Sequence, residues 1–204
     1  EEGNDVVYSQ MAKLPQNVLS HCKSRETLLG KGFEAEVYLD DVTIAGRKQQ
    51  VASKMYFRSS TAKSELHFYE GLPHDDNILK VYGCYMDPET RRWCLAMEYC
   101  RHGNMRECMA AKTFPRNGGF LHHEVSGVMS ALVTLHGNKM AHRDLKLDNV
   151  LLHCPCAAGT ECGCLRVNSR SVLPKLADFG MSRQGTLMQM SSANMKGTLM
   201  YIPP

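Results

Sequence analysis

Apolar and polar positions alternate after an early glycine pair. Ala35, Val37 and Leu39 interleave with Glu36 and Tyr38, the period of two expected of a half-buried strand. Upstream, Leu28-Leu29 run into Gly30-Lys31-Gly32-Phe33, so Ser24 to Leu39 is predicted to form two strands joined by a glycine turn. A second turn around Ala45-Gly46-Arg47 leads to a short strand over Gln50–Tyr56, bounded by polar residues. Ala62, Leu66 and Tyr69 recur at spacings of four and three. They predict a helix from about Ser60 to Tyr69, capped by Ser59 or Ser60 and ended by Gly71 and Pro73. Asn77–Met86 and Trp93–Tyr99 read as a strand pair around the turn Asp87-Pro88-Glu89-Thr90.

The pattern changes at Cys100-Arg101-His102-Gly103-Asn104, a short polar run taken as a linker between two lobes. Beyond it Val125, Val128, Met129, Leu132 and Leu135 fall on one face of a helix that ends near Gly137. Asn149–His153 and Leu173–Ala177 are short strand candidates separated by a Cys-, Gly- and Ala-containing insertion. Ser182 to Met195 is rich in Ser, Gln and Met with no clear period, so it reads as a long mobile segment. There is no internal repeat.

Composition narrows the class. The 204 residues are 43% hydrophobic with a net charge of +3, which excludes disorder as the main state and predicts a core. So small and dispersed an excess of positive charge gives no nucleic-acid or membrane reading. No apolar run approaches the roughly 18 residues of a spanning helix, and the acidic start Glu1-Glu2-Gly3-Asn4-Asp5 is unlike a secretory signal. A soluble, cytoplasmic protein is expected. Nine cysteines cannot all pair within the chain, which points to reduced thiols or a metal site.

Alone, Gly30-x-Gly32-x-x-Ala35 fits a dinucleotide loop or a glycine hairpin. A dinucleotide loop must run from strand to helix, whereas here the following residues alternate like a strand. A glycine hairpin can close over phosphates through its backbone N–H groups. Downstream, His142-Arg143-Asp144-Leu145-Lys146-Leu147-Asp148-Asn149 precedes Asp178-Phe179-Gly180. This supplies a base-type carboxylate, a lysine, an amide and a second carboxylate, the set that phosphoryl transfer from ATP requires. With Val51-x-x-Lys54 and Gly197-Thr198-x-x-Tyr201 in the same order, the sequence resembles the eukaryotic protein kinase family over nearly its whole length.

That resemblance implies an α+β, two-lobed fold: a flank over 1–23, an antiparallel N-lobe with one main helix over 24–97, a hinge over 98–103, and a mainly helical, incomplete C-lobe over 104–204. Within the last, it places an insertion at about 153–170 and an activation segment at 178–204. It implies ATP and Mg2+ as cofactors and a protein as substrate, with no nucleic acid or membrane partner and the regulatory partner unidentified. Lys54 would hold the α/β-phosphates and pair with Glu65, preferred over Glu70 because it lies nine residues before His74. Asp144 would orient or accept the proton of the substrate hydroxyl, Lys146 would stabilise the γ-phosphate, and Asn149 and Asp178 would bind Mg2+. Gly30, Lys31, Gly32 and Phe33 would cover the phosphates. Leu29, Val37, Ala52 and Leu151 would sandwich adenine, with Met97 behind it and the hinge Glu98-Tyr99-Cys100 at its edge.

Leu145-Lys146-x-x-Asn149 and Gly197-Thr198 resemble the serine/threonine branch. Arg143 beside Asp144 implies control by an activation-segment phosphate, with Ser191 and Ser192 the nearest hydroxyls. Two departures stand out. Ala35 replaces a third glycine, and Asp144 and Asp178 lie 34 positions apart, about twice the family's usual separation. The extra length holds Cys154-Pro155-Cys156 and Cys162-Gly163-Cys164. Four thiolates could hold Zn2+, although structural knuckles more often use Cys-x-x-Cys. Reversible disulfides and a plain thiol-bearing loop are the alternatives. The chain stops at Pro204, where the family's closing Ala-Pro-Glu is expected, so the later C-lobe helices are expected to be missing. Residues 1–204 alone are then expected to expose apolar surface on the Val125–Leu135 helix and to be poorly active. A binding-only pseudokinase and a metal-binding interaction module are the rival readings.

Overall fold

In a computed structural model, residues 27–44, 47–111, 118–156, 162–164 and 171–184 are described. The flank over 1–23, the turn residues Ala45 and Gly46, Ser191, Ser192 and the Gly197–Tyr201 motif lie outside them. The chain divides into two compact units. The first runs to Glu70 and resumes over Lys80–Tyr99; the second is Gly71–Leu79 and the residues from Cys100 onward. The Gly71–Leu79 stretch thus belongs with the second unit, although it precedes two strands of the first.

The first unit is an antiparallel sheet of β1 (Thr27–Lys31), β2 (Ala35–Ile44), β3 (Arg47–Tyr56), β4 (Val81–Met86) and β5 (Trp93–Glu98), ordered β1-β2-β3-β5-β4. The turn between β1 and β2 closes with Gly32 N–H donating to the Ala35 carbonyl at 2.9 Å. Strand β3 starts earlier than its polar first residues suggest, because it pairs with β2 as far as Ile44 opposite Arg47. Alternation along β3 sorts its side chains. Val51 and Met55 enter a buried cluster with Val42, Tyr85, Cys94 and Ala96, and Ser53 accepts the Tyr85 hydroxyl at 3.1 Å. Ala52, Lys54 and Tyr56 therefore face the other side, where helix α1 (Ser59–Glu70) packs on β3 and β5. Ala62, Leu66 and Tyr69 are buried on α1 at the predicted spacing.

Strand β4 begins at Val81, not Asn77. Asp75 turns the chain before it: its carboxylate accepts from Asn77 N–H at 2.8 Å and its carbonyl from Ile78 N–H at 3.1 Å. Asn77 and Leu79 then bond to the backbone of Leu176, so the apolar pair Ile78-Leu79 is buried against the second unit's own strand rather than paired in the sheet.

The second unit contains α2 (Met105–Ala110), α3 (Gly118–Gly137), β6 (Met140–Ala141), a 3-10 turn over Leu147–Asn149, β7 (Val150–His153), β8 (Leu173–Leu176) and β9 (Arg183–Gln184). Strands β7 and β8 form one antiparallel pair, β6 and β9 another. The polar run Cys100–Asn104 is no plain linker. Asn104 caps α2 by accepting Glu107 N–H at 2.9 Å, and an Asn followed three residues later by Glu is a helix-start signal. Helix α3 begins seven residues before Val125; of the predicted apolar face Leu135 is buried and Val128 and Leu132 are half-buried, while Val125 and Met129 give the exposed apolar surface expected on this helix. Phe120, Glu124, Ala131 and Leu135 are buried, whereas Val125 and Met129 are 53% and 54% exposed. No described helix is long and apolar enough to cross a membrane.

Candidate phosphoryl-transfer site

In the first unit, the register that puts Lys54 opposite Val37 and Leu95 aims its side chain at α1. Its Nζ donates to both carboxylate oxygens of Glu65, at 2.9 and 2.8 Å. Glu65 is 1% exposed, and an ammonium that meets both oxygens stabilises a carboxylate so dry. Glu70 instead lies near His67, at 3.5 Å. At the glycine turn a Cβ on Gly30 would meet nothing within 4 Å, and one on Gly32 only the Ala35 carbonyl at 3.7 Å. Space therefore remains above the backbone amides. Lys31 is tied across the hairpin to Glu36 at 2.9 Å, and the Glu36 carboxyl is held low by its hydrogen bonds with Lys31 and Tyr38.

Phe33 stands 94% exposed at the tip and Leu29 is 40% exposed, while Ala52 and Met97 are buried. Glu98 exchanges two bonds with Lys80: its N–H donates to the Lys80 carbonyl at 2.9 Å and its carboxylate accepts Lys80 N–H at 3.1 Å. Residue 98 is thereby fixed at the end of β5. In the second unit, Cys100 is buried and its carbonyl accepts Gly103 N–H at 3.1 Å. Leu151 is half-buried on β7.

The acidic centre of the second unit is built from the β7–β8 ribbon. Val150 lies opposite Leu176, and Ala177 N–H donates to the Asn149 carbonyl at 2.9 Å. The register thus brings Asn149 and Asp178 to the same end of the ribbon. Lys146 Nζ donates to Asp144 Oδ2 at 2.7 Å, and Asn149 Nδ2 donates to the Asp144 carbonyl at 2.8 Å and to Oδ2 at 3.1 Å. With its nitrogen turned to Asp144, Asn149 keeps its amide oxygen for a cation. That oxygen and the Asp178 carboxylate are the hard donors Mg2+ takes, so the residues fit the ion. Arg143 and Asp178 hold left-handed backbone conformations, with φ of 67° and 64°. Such geometry is costly for side chains other than glycine and persists only where the surroundings impose it.

His142, quoted in the motif but given no role by sequence reasoning, supplies much of that imposition. It is 2% exposed. Its Nε2 donates to the Ala177 carbonyl at 2.9 Å while Nδ1 accepts Asp144 N–H at 3.3 Å, so one ring holds the backbone of both acidic segments. Phe179 lies against it with ring centroids 5.0 Å apart, and Ser182 Oγ donates to its carbonyl at 3.0 Å. Burial lowers the imidazole pKa, which favours the neutral form this bonding requires.

In the insertion, Cys154, Cys156, Cys162 and Cys164 bring their sulfurs within 4.8 Å of one another. Burial alone would raise Cys162, yet hydrogen bonds from the Cys164 backbone and the other three thiols bring it down to about 6. Cys156 is pushed up to about 12 by its bonds with Cys164 and Cys162.

The first unit thus holds a glycine hairpin and a buried lysine–carboxylate pair, and the second an Asp–Lys–Asn cluster with Asp178 at the same ribbon end. The chain belongs to the protein kinase domain family, whose model matches residues 24–204. It is 30% identical over 193 residues to serine/threonine-protein kinase ULK1 of Homo sapiens, covering 89% of this chain and 17% of that protein. Over 192 residues it is 26% identical to mitogen-activated protein kinase kinase kinase nsy-1 of Caenorhabditis elegans, covering 91% of this chain and 12% of the relative. Cell division control protein 7 of Schizosaccharomyces pombe is 29% identical over 160 residues, 76% of this chain and 13% of its own length. The chain thus spans less than a quarter of the length of these relatives.

Proposed function

We propose that this chain is the catalytic domain of a protein serine/threonine kinase, acting in the cytoplasm with ATP and Mg2+. The observation that carries the reading is the Asp144–Lys146–Asn149 cluster on one ribbon end with Asp178. Asp144 accepts the proton of a protein Ser or Thr hydroxyl as its oxygen attacks the γ-phosphorus, and the bond to the β–γ bridging oxygen breaks to leave ADP. Lys146 stands beside Asp144 to meet the charge on the transferring group. Lys54, fixed by Glu65, holds the α/β-phosphates, and the amides of Gly30–Phe33 close over them. Asn149 and Asp178 are the residues that would hold Mg2+, which when bound would supply neutralisation of phosphate charge. Leu29, Val37, Ala52, Met97, Glu98, Cys100 and Leu151 form the adenine site, with 24–97 and 104–204 as the lobes and 98–103 as the hinge. The hydroxyl preference rests on Lys146 two residues after Asp144 and on the serine/threonine kinase name of one relative. Phosphorylation of Ser191 or Ser192, met by Arg143, is the proposed control.

The test is transfer of label from ATP to a generic basic protein, with phosphoamino-acid analysis of the product. Asp178→Asn and Asp144→Asn are expected to lower incorporation by at least about 100-fold. Incorporation equal to the parent in both variants would refute the assignment, and phosphotyrosine as the main product would refute the hydroxyl preference.

A further inference from the structure

The four insertion cysteines take no part in phosphoryl transfer, yet they converge. Cys154–Cys162 and Cys156–Cys164 have sulfurs 3.2 and 3.1 Å apart, and Cys156–Cys162 3.5 Å. Tetrahedral thiolates about 2.3 Å from a zinc ion lie about 3.8 Å from one another. All four sulfurs already fall within 4.8 Å, so side-chain rotations of less than about 1 Å would bring them onto that figure.

The Cys-x-Cys spacing, unusual beside Cys-x-x-Cys, still brings all four sulfurs together here. Each arm presents two sulfurs to the cluster while Pro155 and Gly163 between them are exposed. Pro155 also biases Cys154 towards extended backbone. The first arm is rooted, since Cys154 follows directly on β7 and is 5% exposed. An imidazole completes the surroundings: His102 Nε2 lies 3.4 Å from Cys162 Sγ, where it can donate to a thiolate as outer groups of metal sites do. The backbone of His102 is itself bonded to the ribbon. His102 N–H donates to the Leu152 carbonyl at 3.3 Å, and Leu152 N–H donates to the Gly103 carbonyl at 2.9 Å.

We propose that Cys154, Cys156, Cys162 and Cys164 bind one Zn2+ ion as four thiolates, and that the site clips the insertion to the Cys100–Asn104 turn through His102. All-sulfur ligation selects a soft or borderline ion over Mg2+ or Ca2+. The narrow span of the sulfurs suits a single ion at their centre. Ion binding releases the thiol protons.

The experiment is elemental analysis of the protein purified under reducing conditions without chelator, with titration of zinc released by a mercurial. One zinc per chain is expected, released as four thiols react. Cys156→Ser with Cys164→Ser is expected to lose the metal, whereas Cys84→Ser, in the first unit, retains it. Should the double variant fail to fold, Co2+ exchanged into the parent is expected to give the intense visible bands of a tetrahedral tetrathiolate. Metal-free protein with no such spectrum overturns the proposal. So does stoichiometric iron, or a mass four hydrogen atoms short under non-reducing conditions, the signature of two disulfides. The clip is read by amide exchange: stripping the ion is expected to speed exchange at His102 and Leu152 at least about tenfold, the size expected when one hydrogen bond's worth of local stability is lost. Unchanged exchange there refutes the tie.

Discussion

Gly127 lies in the middle of α3, where alanine would ordinarily add about 1 kcal/mol of helix stability. Here a Cβ would sit 2.4 Å from Pro174 Cγ, 2.7 Å from Asn77 Nδ2 and 3.2 Å from Asn77 Cγ. Ordinary contact needs at least 3.4 Å, so α3 or β8 must move by about 1 Å. Neither is loose. Thr134 on α3 donates to Asp75, His123 Nε2 meets the Val172 carbonyl at 3.1 Å, and Asn77 Nδ2 donates to the Pro174 carbonyl at 3.0 Å. Overpacking costs about 1–3 kcal/mol, and losing the Asn77 bond about 1 kcal/mol more. Set against the helix gain, Gly127→Ala is expected to destabilise by about 1–3 kcal/mol. With a urea slope of about 1–3 kcal/mol per molar, the midpoint falls by roughly 1 M. Gly137→Ala, whose Cβ would meet nothing within 4 Å, is the control and should move it little. Because β8 runs directly to Ala177 and Asp178, Gly127→Ala should also weaken phosphoryl transfer. A Gly127→Ala midpoint at or above the parent's would refute the packing argument.

Glu124 is 1% exposed with neither carboxylate oxygen bonded among the described residues, and burial raises its pKa from 4.5 to about 8. The folded chain therefore binds a proton that the unfolded chain has released between those values, so stability should fall as pH rises from 4.5 to 8 and level off above. Glu124→Gln should flatten that slope, worth on the order of 2 kcal/mol after screening, as followed by urea midpoints across pH. His142 has the opposite dependence: its lowered folded pKa makes stability fall as pH drops below 6.5, and His142→Phe should abolish that fall while costing about 1–3 kcal/mol for the Ala177 carbonyl left unpaired. Lys54→Met strands the Glu65 carboxylate and is expected to cost about 3–5 kcal/mol; adding Glu65→Gln should restore part of it, and additive losses in the double-mutant cycle would contradict a direct pair.

Much of the sheet was legible because its strands alternate in plain sight, as at Val51, Ser53 and Met55 against Ala52, Lys54 and Tyr56. The face of α3 was legible only in part: Leu135 is buried and exposed apolar surface was expected there, but the burial of Glu124 was not. The helix carries apolar residues on two sides, and the buried side contains a carboxylic acid, Glu124, while Val125 and Met129 face outward. Hydrophobic spacing assumes that burial follows polarity, and one neutralised acid breaks the assumption. Helix α2 escaped notice because its six residues are too few to show a period; its only signal was Asn104 with Glu107. Segment Asn77–Lys80 looked strand-like until the Asp75 carboxylate redirected it. The side chains of the candidate site were named from motif order, but the function of His142 depends on Ala177, 35 residues away. The meeting of the two Cys-x-Cys arms likewise depends on how the chain returns, which spacing does not encode.

The β7–β8 ribbon has one further consequence, for how such a chain can change. Asn149 and Asp178 lie at one end and residues 154–172 connect the other. The separation of Asn149 from Asp178 is set by strand register, so it does not vary with the length of that connection. Lengthening a loop costs little closure entropy, about 0.6 kcal/mol per doubling. The ribbon thus acts as an insulated port, a place where a sensor or a whole domain can be spliced in while the opposite end keeps its spacing.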